Sequence, residues 1–206
     1  MRFVEIGIGG TADEIGGRSL LAWRAYFPFA TLVACDLNDR SALARRRTRI
    51  VRLDQGDPRE LAAFAKQGPF DVVVDDGSHL GSHQWMTFTA LFDTLTEDGL
   101  YVVEDVQTSY WDRMVGGVIW GGANPSSSAF AGTCVGRFLD LAKHLNYAEF
   151  LDEADADPEL RPLARRIRHI TFEHNLVMIV KGSNEVPSNT VVRSGPPGSS
   201  ETGGSG

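Results

Sequence analysis

Two acidic clusters in the sequence have the residue types and spacing of a metal-dependent catalytic site. Asp75–His79 (Asp-Asp-Gly-Ser-His) follows the apolar run Phe70–Val74, and Glu104–Asp105 follows the apolar run Leu100–Val103. Short valine-rich runs bounded by turn residues are typical of strands buried in a parallel sheet. Parallel neighbours end at the same edge, where open α/β sheets bind their ligands. Three carboxylates beside a histidine at this edge predict a hard-oxygen site for a divalent cation, with a base next to it.

A glycine-rich segment, Glu5-Ile6-Gly7-Ile8-Gly9-Gly10, follows the first predicted strand and predicts close approach of the backbone to a ligand. The signal is weak by itself, because residues 7–12 also fit the Gly-x-Gly-x-x-Gly/Ala dinucleotide fingerprint. Two details favour a ligand with an amino-acid part. Glu5 places a carboxylate where a cationic amino-acid group needs one, and Gly10–Gly17 is too long for the tight turn that directs a helix dipole at a pyrophosphate.

Acidic and polar residues also end the next two predicted strands. Asp36 ends the second strand, where an acid commonly accepts hydrogen bonds from ribose hydroxyls. Asp54-Gln55 ends the third strand, beside any adenine that lies along this edge. Either nucleotide-type ligand would use Asp36, and both aspartates also fit plain turn or capping residues.

The composition is that of a globular protein with one domain. The chain has 206 residues, a formal net charge of −7 and two cysteines, Cys35 and Cys134. The acidic balance argues against a nucleic-acid partner, and no apolar run approaches the roughly 20 residues that span a bilayer. The N-terminus starts in a probable strand with no signal segment. Two cysteines make neither a disulfide framework nor a zinc signature, so the expected location is the reducing cytoplasm.

Strands and helices alternate along the chain, which predicts an α/β fold with a doubly wound, mostly parallel sheet. The helices begin near Ser19, with Ser19 as a possible cap, at Pro58 with Asp57 as the cap, near Ser82 and near Val135. The helix that begins near Ser82 is predicted to end near Leu95. Two strands joined at His174-Asn175 predict a C-terminal antiparallel pair. The predicted strands are Phe3–Ile6, Thr31–Cys35, Thr48–Leu53, Asp71–Val74, a fifth after the turn Thr96–Gly99, Arg168–Glu173 and Leu176–Lys181.

Two segments stand apart from this alternation. Gly116–Gly136 is rich in glycine and serine and is interpreted either as a lid over the site or as an irregular connection. Residues 1–182 are assigned to one domain. Residues 183–206, rich in glycine, serine and proline, are assigned to a tail that is expected to be disordered.

Taken together, these motifs resemble the magnesium-dependent macrolide-sugar O-methyltransferases over roughly residues 3 to 181. The pair formed by Asp75–His79 and the Glu-Asp-x-x-Thr-x-Tyr-Trp segment Glu104–Trp111 is specific at this spacing, whereas the glycine loop is not. The resemblance implies a class I S-adenosylmethionine-dependent methyltransferase fold. Members of the family carry a region ahead of the first strand that takes part in oligomer formation, so homo-oligomer formation is left open.

The resemblance also implies the roles of individual residues. Asp76, Glu104 and Asp105 would hold Mg²⁺, and His79 would be the general base. Tyr110 and Trp111 could line the pocket of a hydroxylated small-molecule acceptor, a glycoside or polyketide-like compound, although core packing is a nearly equal alternative. The residues assigned to the S-adenosyl-L-methionine site are Glu5, Gly7, Gly9, Ser19, Asp36, Asp54, Gln55 and Asp75.

Two other functions compete with this interpretation. A nicotinamide-dependent oxidoreductase explains the glycine loop and Asp36 but gives the second acidic cluster no task. A non-catalytic binding protein with the same fold predicts a lost metal ligand or base, yet all are present. Within methyltransferases, a catechol-type acceptor uses similar metal chemistry.

Overall fold

A computed structural model describes residues 1–9 and 16–191 and contains a seven-stranded, mostly parallel sheet. The strand order is β3-β2-β1-β4-β5-β9-β8, and β6 and β7 form a separate hairpin. The strands are β1 (Arg2–Ile6), β2 (Thr31–Asp36), β3 (Thr48–Arg52), β4 (Phe70–Asp75), β5 (Leu95–Glu104), β6 (Met114–Val115), β7 (Val118–Ile119), β8 (Ile167–Glu173) and β9 (Leu176–Lys181). The helices are α1 (Arg18–Tyr26), α2 (Pro58–Ala65), α3 (Gly81–Leu91), α4 (Cys134–His144) and α5 (Leu160–Ala164).

The register of the central strands brings their carboxyl ends level with one another. In the parallel pairs, Ile6 lies opposite both Cys35 and Asp75, and Asp75 lies opposite Val103. The acidic clusters that follow β4 and β5 therefore emerge at the same edge as the glycine loop that follows β1. The predicted doubly wound parallel sheet is confirmed, and so is the C-terminal antiparallel pair, in which β9 joins β5 and β8.

Both faces of the sheet are covered, because successive side chains of a strand point in opposite directions. Val4 and Ile6 of β1 belong to the large core that α2, α3, α4 and α5 complete. Phe3 of the same strand packs against Trp23 of α1 on the opposite face. Residues buried on both faces explain why these strands read as continuous apolar runs.

The predicted N-terminal cap is correct for α2 and wrong for α1. α2 begins as predicted, with Asp57 Oδ1 accepting a hydrogen bond from the Arg59 backbone N–H at 2.8 Å and with Pro58 in the first turn. Ser19 does not cap α1. The cap residue is Gly17, which has a left-handed backbone (φ 77°) and no side chain that could cap the helix. Because α1 begins at Arg18, Ser19 lies inside its first turn.

The predicted end of α3 is also corrected. The helix ends at Leu91 rather than near Leu95, and a 3-10 turn, Phe92–Thr94, follows it. Leu95 is instead paired with Phe70 in the sheet, and the Thr94 hydroxyl donates to the Leu91 carbonyl at 2.6 Å. The predicted turn at residues 96–99 is an irregular part of β5, where the register with β4 shifts.

The glycine- and serine-rich segment is more ordered than its composition suggests. It contains β7, a 3-10 turn at Ser128–Gly132 and the start of α4, which begins one residue earlier than predicted. The Thr133 hydroxyl caps α4 by accepting from the Gly136 N–H at 3.1 Å.

The segment after β9 packs against the rest of the domain. Asn184 donates to the carbonyls of Leu145 and Ala164 at 2.9 and 3.1 Å, and its own carbonyl accepts from the Tyr147 hydroxyl at 3.0 Å. The predicted disorder of residues 192–206 lies outside the described residues. No helix among residues 1–9 and 16–191 combines the length and the apolar character needed to cross a membrane.

Candidate active site

A cavity of about 500 Å³ opens at the carboxyl edge of the sheet, where β1, β2, β3 and β4 end. Its walls come from the loops that follow these strands, so residues far apart in the sequence share one space. Among the predicted site residues, the cavity is lined by Gly7, Gly9, Asp36, Asp54, Gln55, Asp76, His79 and Asp105.

The first loop can take its path only with glycine at position 7. Gly7 has φ +82°, and a Cβ atom there would lie 2.0 Å from the Asp76 carbonyl oxygen. The Asp76 N–H donates to the Ile6 carbonyl at 2.9 Å, which holds the two loops together. Gly9 also has positive φ, but no described residue lies within 4 Å of its Cβ position, so a ligand can approach the backbone there.

Glu5 lies behind this loop and not among the described residues that line the cavity. Its side chain is 2% exposed, and Oε1 accepts a hydrogen bond from Trp23 Nε1 at 3.0 Å. Burial raises its pKa to about 7, against the opposing effect of hydrogen bonds from Ser19 and Trp23. Within the described part of the chain, Oε2 has no hydrogen-bond partner, so this carboxyl group retains an unused acceptor.

Asp36 and Asp54 stand on the cavity wall as strand-end carboxylates. Asp36 Oδ1 accepts from the Asn38 N–H at 2.8 Å and lies 3.7 Å from Arg40 Nε. Asp54 Oδ1 accepts from the Gly56 N–H at 2.8 Å. Both aspartates therefore stabilise their own turns and also line the cavity. The sequence predicted the two roles, turn residue and ligand contact, as alternatives.

Asp75 and Gln55 form a buried, hydrogen-bonded brace, of which Gln55 lines the cavity. Asp75 is fully buried and is not among the described residues that line the cavity, whereas the sequence predicts it on the cofactor side. Gln55 Nε2 donates to Asp75 Oδ1 at 2.5 Å, and Gln55 Oε1 accepts from the Ser78 N–H at 2.9 Å. Burial raises the pKa of Asp75 to about 7. The brace fixes the turn between Asp75 and Ser78, from which Asp76 projects.

Asp76, His79 and Asp105 converge at the mouth of the cavity. Each offers one ligand atom, and these three atoms lie within 4.8 Å of one another. His79 Nε2 is 3.8 Å from Asp105 Oδ2. Glu104 lies beside this trio but outside it, with its backbone carbonyl accepting from Gln84 Nε2 at 2.9 Å.

The electrostatics of this cluster fit a divalent cation. Burial and the nearby Asp105 raise the pKa of Asp76 to about 6, and burial, Asp76 and Asp105 raise the pKa of Glu104. Ionisation of one carboxylate is disfavoured by the negative charge of its neighbours unless a cation compensates that charge. Carboxylate oxygens around one point are the donor set that Mg²⁺ prefers. Asp76 and Asp105, with Glu104 next to them, could therefore hold this ion.

Aromatic side chains from the segment after β5 lie next to His79 of this cluster. Trp111 packs edge-on against Trp120, with ring centroids 5.8 Å apart, and the Trp120 centroid is 6.5 Å from that of His79. Tyr110 is 46% exposed and contacts Phe130. The sequence analysis missed Trp120 because it lies in a glycine-rich segment. His83 also lines the cavity, and its Nδ1 lies 3.0 Å from Ser78 Oγ.

The sheet order, the glycine loop after β1 and the acidic edge define the class I methyltransferase fold. Comparison with known proteins narrows this class. The chain is 36% identical over 189 residues to mycinamicin VI 2''-O-methyltransferase of Micromonospora griseorubida. It is 36% identical over 186 residues to demethylmacrocin O-methyltransferase of Streptomyces fradiae. Over this stretch the chain is homologous to these O-methyltransferases, which confirms the resemblance inferred from the motifs.

A solved structure gives the same result. The MycE methyltransferase from the mycinamycin biosynthetic pathway, in complex with Mg and SAH (S-adenosylhomocysteine), superposes with a TM-score of 0.81 and 33% identity. The match covers 94% of this chain and 49% of that protein. The first relative is matched over 90% of this chain and 45% of its own length, so the chain spans about half the length of the curated relatives it matches. No protein-family model matches the chain.

Proposed function

We propose that this chain forms the catalytic domain of an S-adenosylmethionine-dependent, Mg²⁺-dependent O-methyltransferase. Its acceptor is a hydroxyl group of a sugar or another secondary-metabolite compound. The observation that carries the proposal is the convergence of Asp76, His79 and Asp105 at the mouth of the cavity that begins at the glycine loop. The relatives support it, because their names describe O-methyltransferases and one was solved with Mg and SAH.

In this proposal the glycine-loop side of the cavity takes S-adenosylmethionine. The open backbone at Gly9 approaches the amino-acid part, and Asp36 at the end of β2 accepts from the ribose hydroxyls. Asp54 lies beside the adenine. Glu5 and Ser19 act from behind the loop, where Trp23 Nε1 donates to the Glu5 carboxylate and Ser19 favours the ionised form of that group. Gln55 lines this side of the cavity and also forms the brace with Asp75, and through the brace Asp75 supports the cofactor site indirectly.

His79 is the proposed general base. A sugar hydroxyl is a poor nucleophile because its proton is held far above neutral pH. When bound by Asp76, Glu104 and Asp105, Mg²⁺ would supply Lewis-acid stabilisation of the developing negative charge on the acceptor oxygen. His79 accepts the proton while the oxygen forms its bond to the sulfonium methyl carbon. The carbon–sulfur bond breaks, and S-adenosylhomocysteine leaves with the electron pair.

The nicotinamide-dependent alternative is disfavoured because the relatives that match nine tenths of the chain are O-methyltransferases. For this chain we propose a hydroxylated glycoside or polyketide-like acceptor. The structure of MycE solved with mycinamycin VI, which matches with a TM-score of 0.75, supports an acceptor of this kind. We also propose a cytoplasmic location, supported by the two free, buried cysteines.

The test is calorimetric titration of the purified 206-residue chain with S-adenosylhomocysteine, with NAD as the comparison ligand. We expect micromolar affinity for the first compound and none for the second. Asp76→Asn is the matched variant: it should weaken Mg²⁺ binding and leave S-adenosylhomocysteine affinity within a few-fold. Binding of NAD alone would overturn the proposal, and a collapse of S-adenosylhomocysteine binding in Asp76→Asn would move Asp76 into the cofactor site.

A further inference from the structure

Thr108 connects the two loops that carry the candidate base and the candidate metal ligands. It lies in the 3-10 turn Val106–Tyr110 after β5 and is 2% exposed. Its hydroxyl donates to the His79 backbone carbonyl at 2.8 Å, and the Asp105 carbonyl lies 3.5 Å from the same oxygen. One buried hydroxyl therefore faces carbonyl groups from two loops that are far apart in sequence.

Both of these carbonyls belong to residues with an unusual backbone conformation. His79 has φ 56° and Asp105 has φ 53°, in the left-handed region that residues other than glycine seldom adopt. Such conformations cost free energy and persist where the surrounding structure holds them. They are also two of the three residues whose side-chain atoms converge within 4.8 Å. The backbone geometry at each residue determines where its Cβ points, so it decides whether these side chains meet.

We propose that Thr108 is a positioning residue: its hydroxyl holds His79 and Asp105 in the backbone conformations that bring their side chains together around a divalent cation. This inference rests on the proposed function and deepens it. The acting group is the hydroxyl and not the volume of the side chain, because the hydrogen bond is what joins the loops. Without it, the His79 carbonyl loses its donor, and the loops that carry His79 and Asp105 lose the hydrogen bond that joins them.

The substitutions separate the hydroxyl from the bulk of the side chain. Thr108→Val keeps the shape and removes the hydroxyl, whereas Thr108→Ser keeps the hydroxyl and removes a methyl group. The control is Thr87→Val in α3: Thr87 is also fully buried, but its hydroxyl has no hydrogen-bond partner within the described residues. Thr108→Ala is a second variant without the hydroxyl, in case the valine variant does not fold.

The measurement is Mn²⁺ binding to the purified chain, followed by the loss of the free-ion electron paramagnetic resonance signal, without cofactor or acceptor. We expect Thr108→Val or Thr108→Ala to weaken Mn²⁺ binding about tenfold or more, and Thr108→Ser and Thr87→Val to remain within about threefold of wild type. A folded variant without the hydroxyl that binds Mn²⁺ like wild type would overturn the role of Thr108. So would a serine variant as weak as the valine variant. A wild-type chain that binds no Mn²⁺ would overturn the proposed metal site itself, and the role of Thr108 with it.

Discussion

At the scale of single residues, the acidic edge is a cluster that folding makes electrostatically unfavourable. Asp76 and Glu104 are partly removed from water and lie close to other carboxylates, and both effects raise their pKa values. Groups shifted in this way concentrate at functional sites, because a bound ion or a reaction supplies the compensation that water no longer gives. His79 adds a base whose Nε2 faces Asp105. The cluster therefore has the parts needed to bind a cation and to accept a proton.

Replacement of His79 should reduce catalysis far more than binding. We expect His79→Ala to lower the rate of methyl transfer to a hydroxylated glycoside by about 100-fold or more, which is the usual scale of general-base assistance. The affinity for S-adenosylhomocysteine should change little, because the cofactor-binding residues remain. Initial rates with a radiolabelled methyl donor measure the first quantity and calorimetry measures the second. His169→Ala is the control, since His169 is exposed on the edge strand β8. A near-normal rate in His79→Ala would remove His79 as the base.

At the scale of elements, the features that could be predicted from the sequence are those with a local physical cause. The valine-rich strand β4 and the Asp57 cap of α2 follow from burial and from hydrogen bonding within a few residues. The end of α3 could not be predicted, because Leu95 leaves the helix pattern to pair with Phe70 across the sheet. Gly17 replaces Ser19 as the cap of α1 for a similar reason: its N–H donates to the Ile8 carbonyl, which fixes the chain before the helix begins.

For the site, too, the sequence predicts only features with a local cause. The acidic clusters could be predicted because each follows a strand, and the parallel register brings the clusters together. The burial of Asp75 was not visible, because adjacent aspartates look alike in a sequence and only the strand alternation separates them. Asp75 is the last residue of β4 and points into the domain, whereas Asp76 begins the loop and faces the cavity. Trp120 reaches His79 only through the fold of the β6–β7 hairpin, which no periodicity indicates.

The junction between β1 and its loop can be tested with two glycines that share a positive φ. Gly7→Ala should destabilise the domain by several kcal/mol and abolish S-adenosylhomocysteine binding, because the new Cβ would lie 2.0 Å from the Asp76 carbonyl oxygen. Gly9→Ala carries the backbone strain alone, roughly 1 kcal/mol, since its Cβ meets no described residue within 4 Å. Urea denaturation and calorimetry measure the two effects. Equal losses in both variants would show that strain, and not the contact with Asp76, sets the requirement for glycine.

At the scale of the whole molecule, the site is assembled by a sheet that the chain forms from its own residues. The core joins β1, β4 and β5 to four helices, and the segment after β9 packs back onto this core through Asn184. The chain nevertheless spans about half the length of its curated relatives. The residues that we propose for the metal belong to the described part of the chain, and Trp120, which follows the exposed β6–β7 hairpin, lies next to His79. Cofactor binding and metal binding are therefore the properties that can be measured directly on the 206-residue chain.

Glu5 links the stability of the whole domain to pH. Burial raises its pKa in the folded chain to about 7, from an ordinary value of 4.5. Because ionisation is harder in the folded than in the unfolded chain, its contribution to stability is complete below pH 4.5 and is lost as the pH rises toward 7. One such proton contributes a slope of up to about 1.4 kcal/mol per pH unit. Burial raises the pKa of Asp75 as well, so at least two groups contribute to the pH dependence of the free energy of unfolding in the wild type.

Glu5→Gln isolates the contribution of Glu5. Glutamine keeps an oxygen that can accept from Trp23 Nε1 and cannot ionise, so the free energy of unfolding of the variant should fall less steeply between pH 4.5 and pH 7. Above pH 7 the two curves should run parallel, because Glu5 is then ionised in both the folded and the unfolded chain. Urea denaturation at half-unit pH intervals without divalent cations measures both slopes. Identical slopes in the variant and the wild type would mean that Glu5 ionises in the folded chain as readily as in the unfolded chain, and that its buried position behind the glycine loop is hydrated.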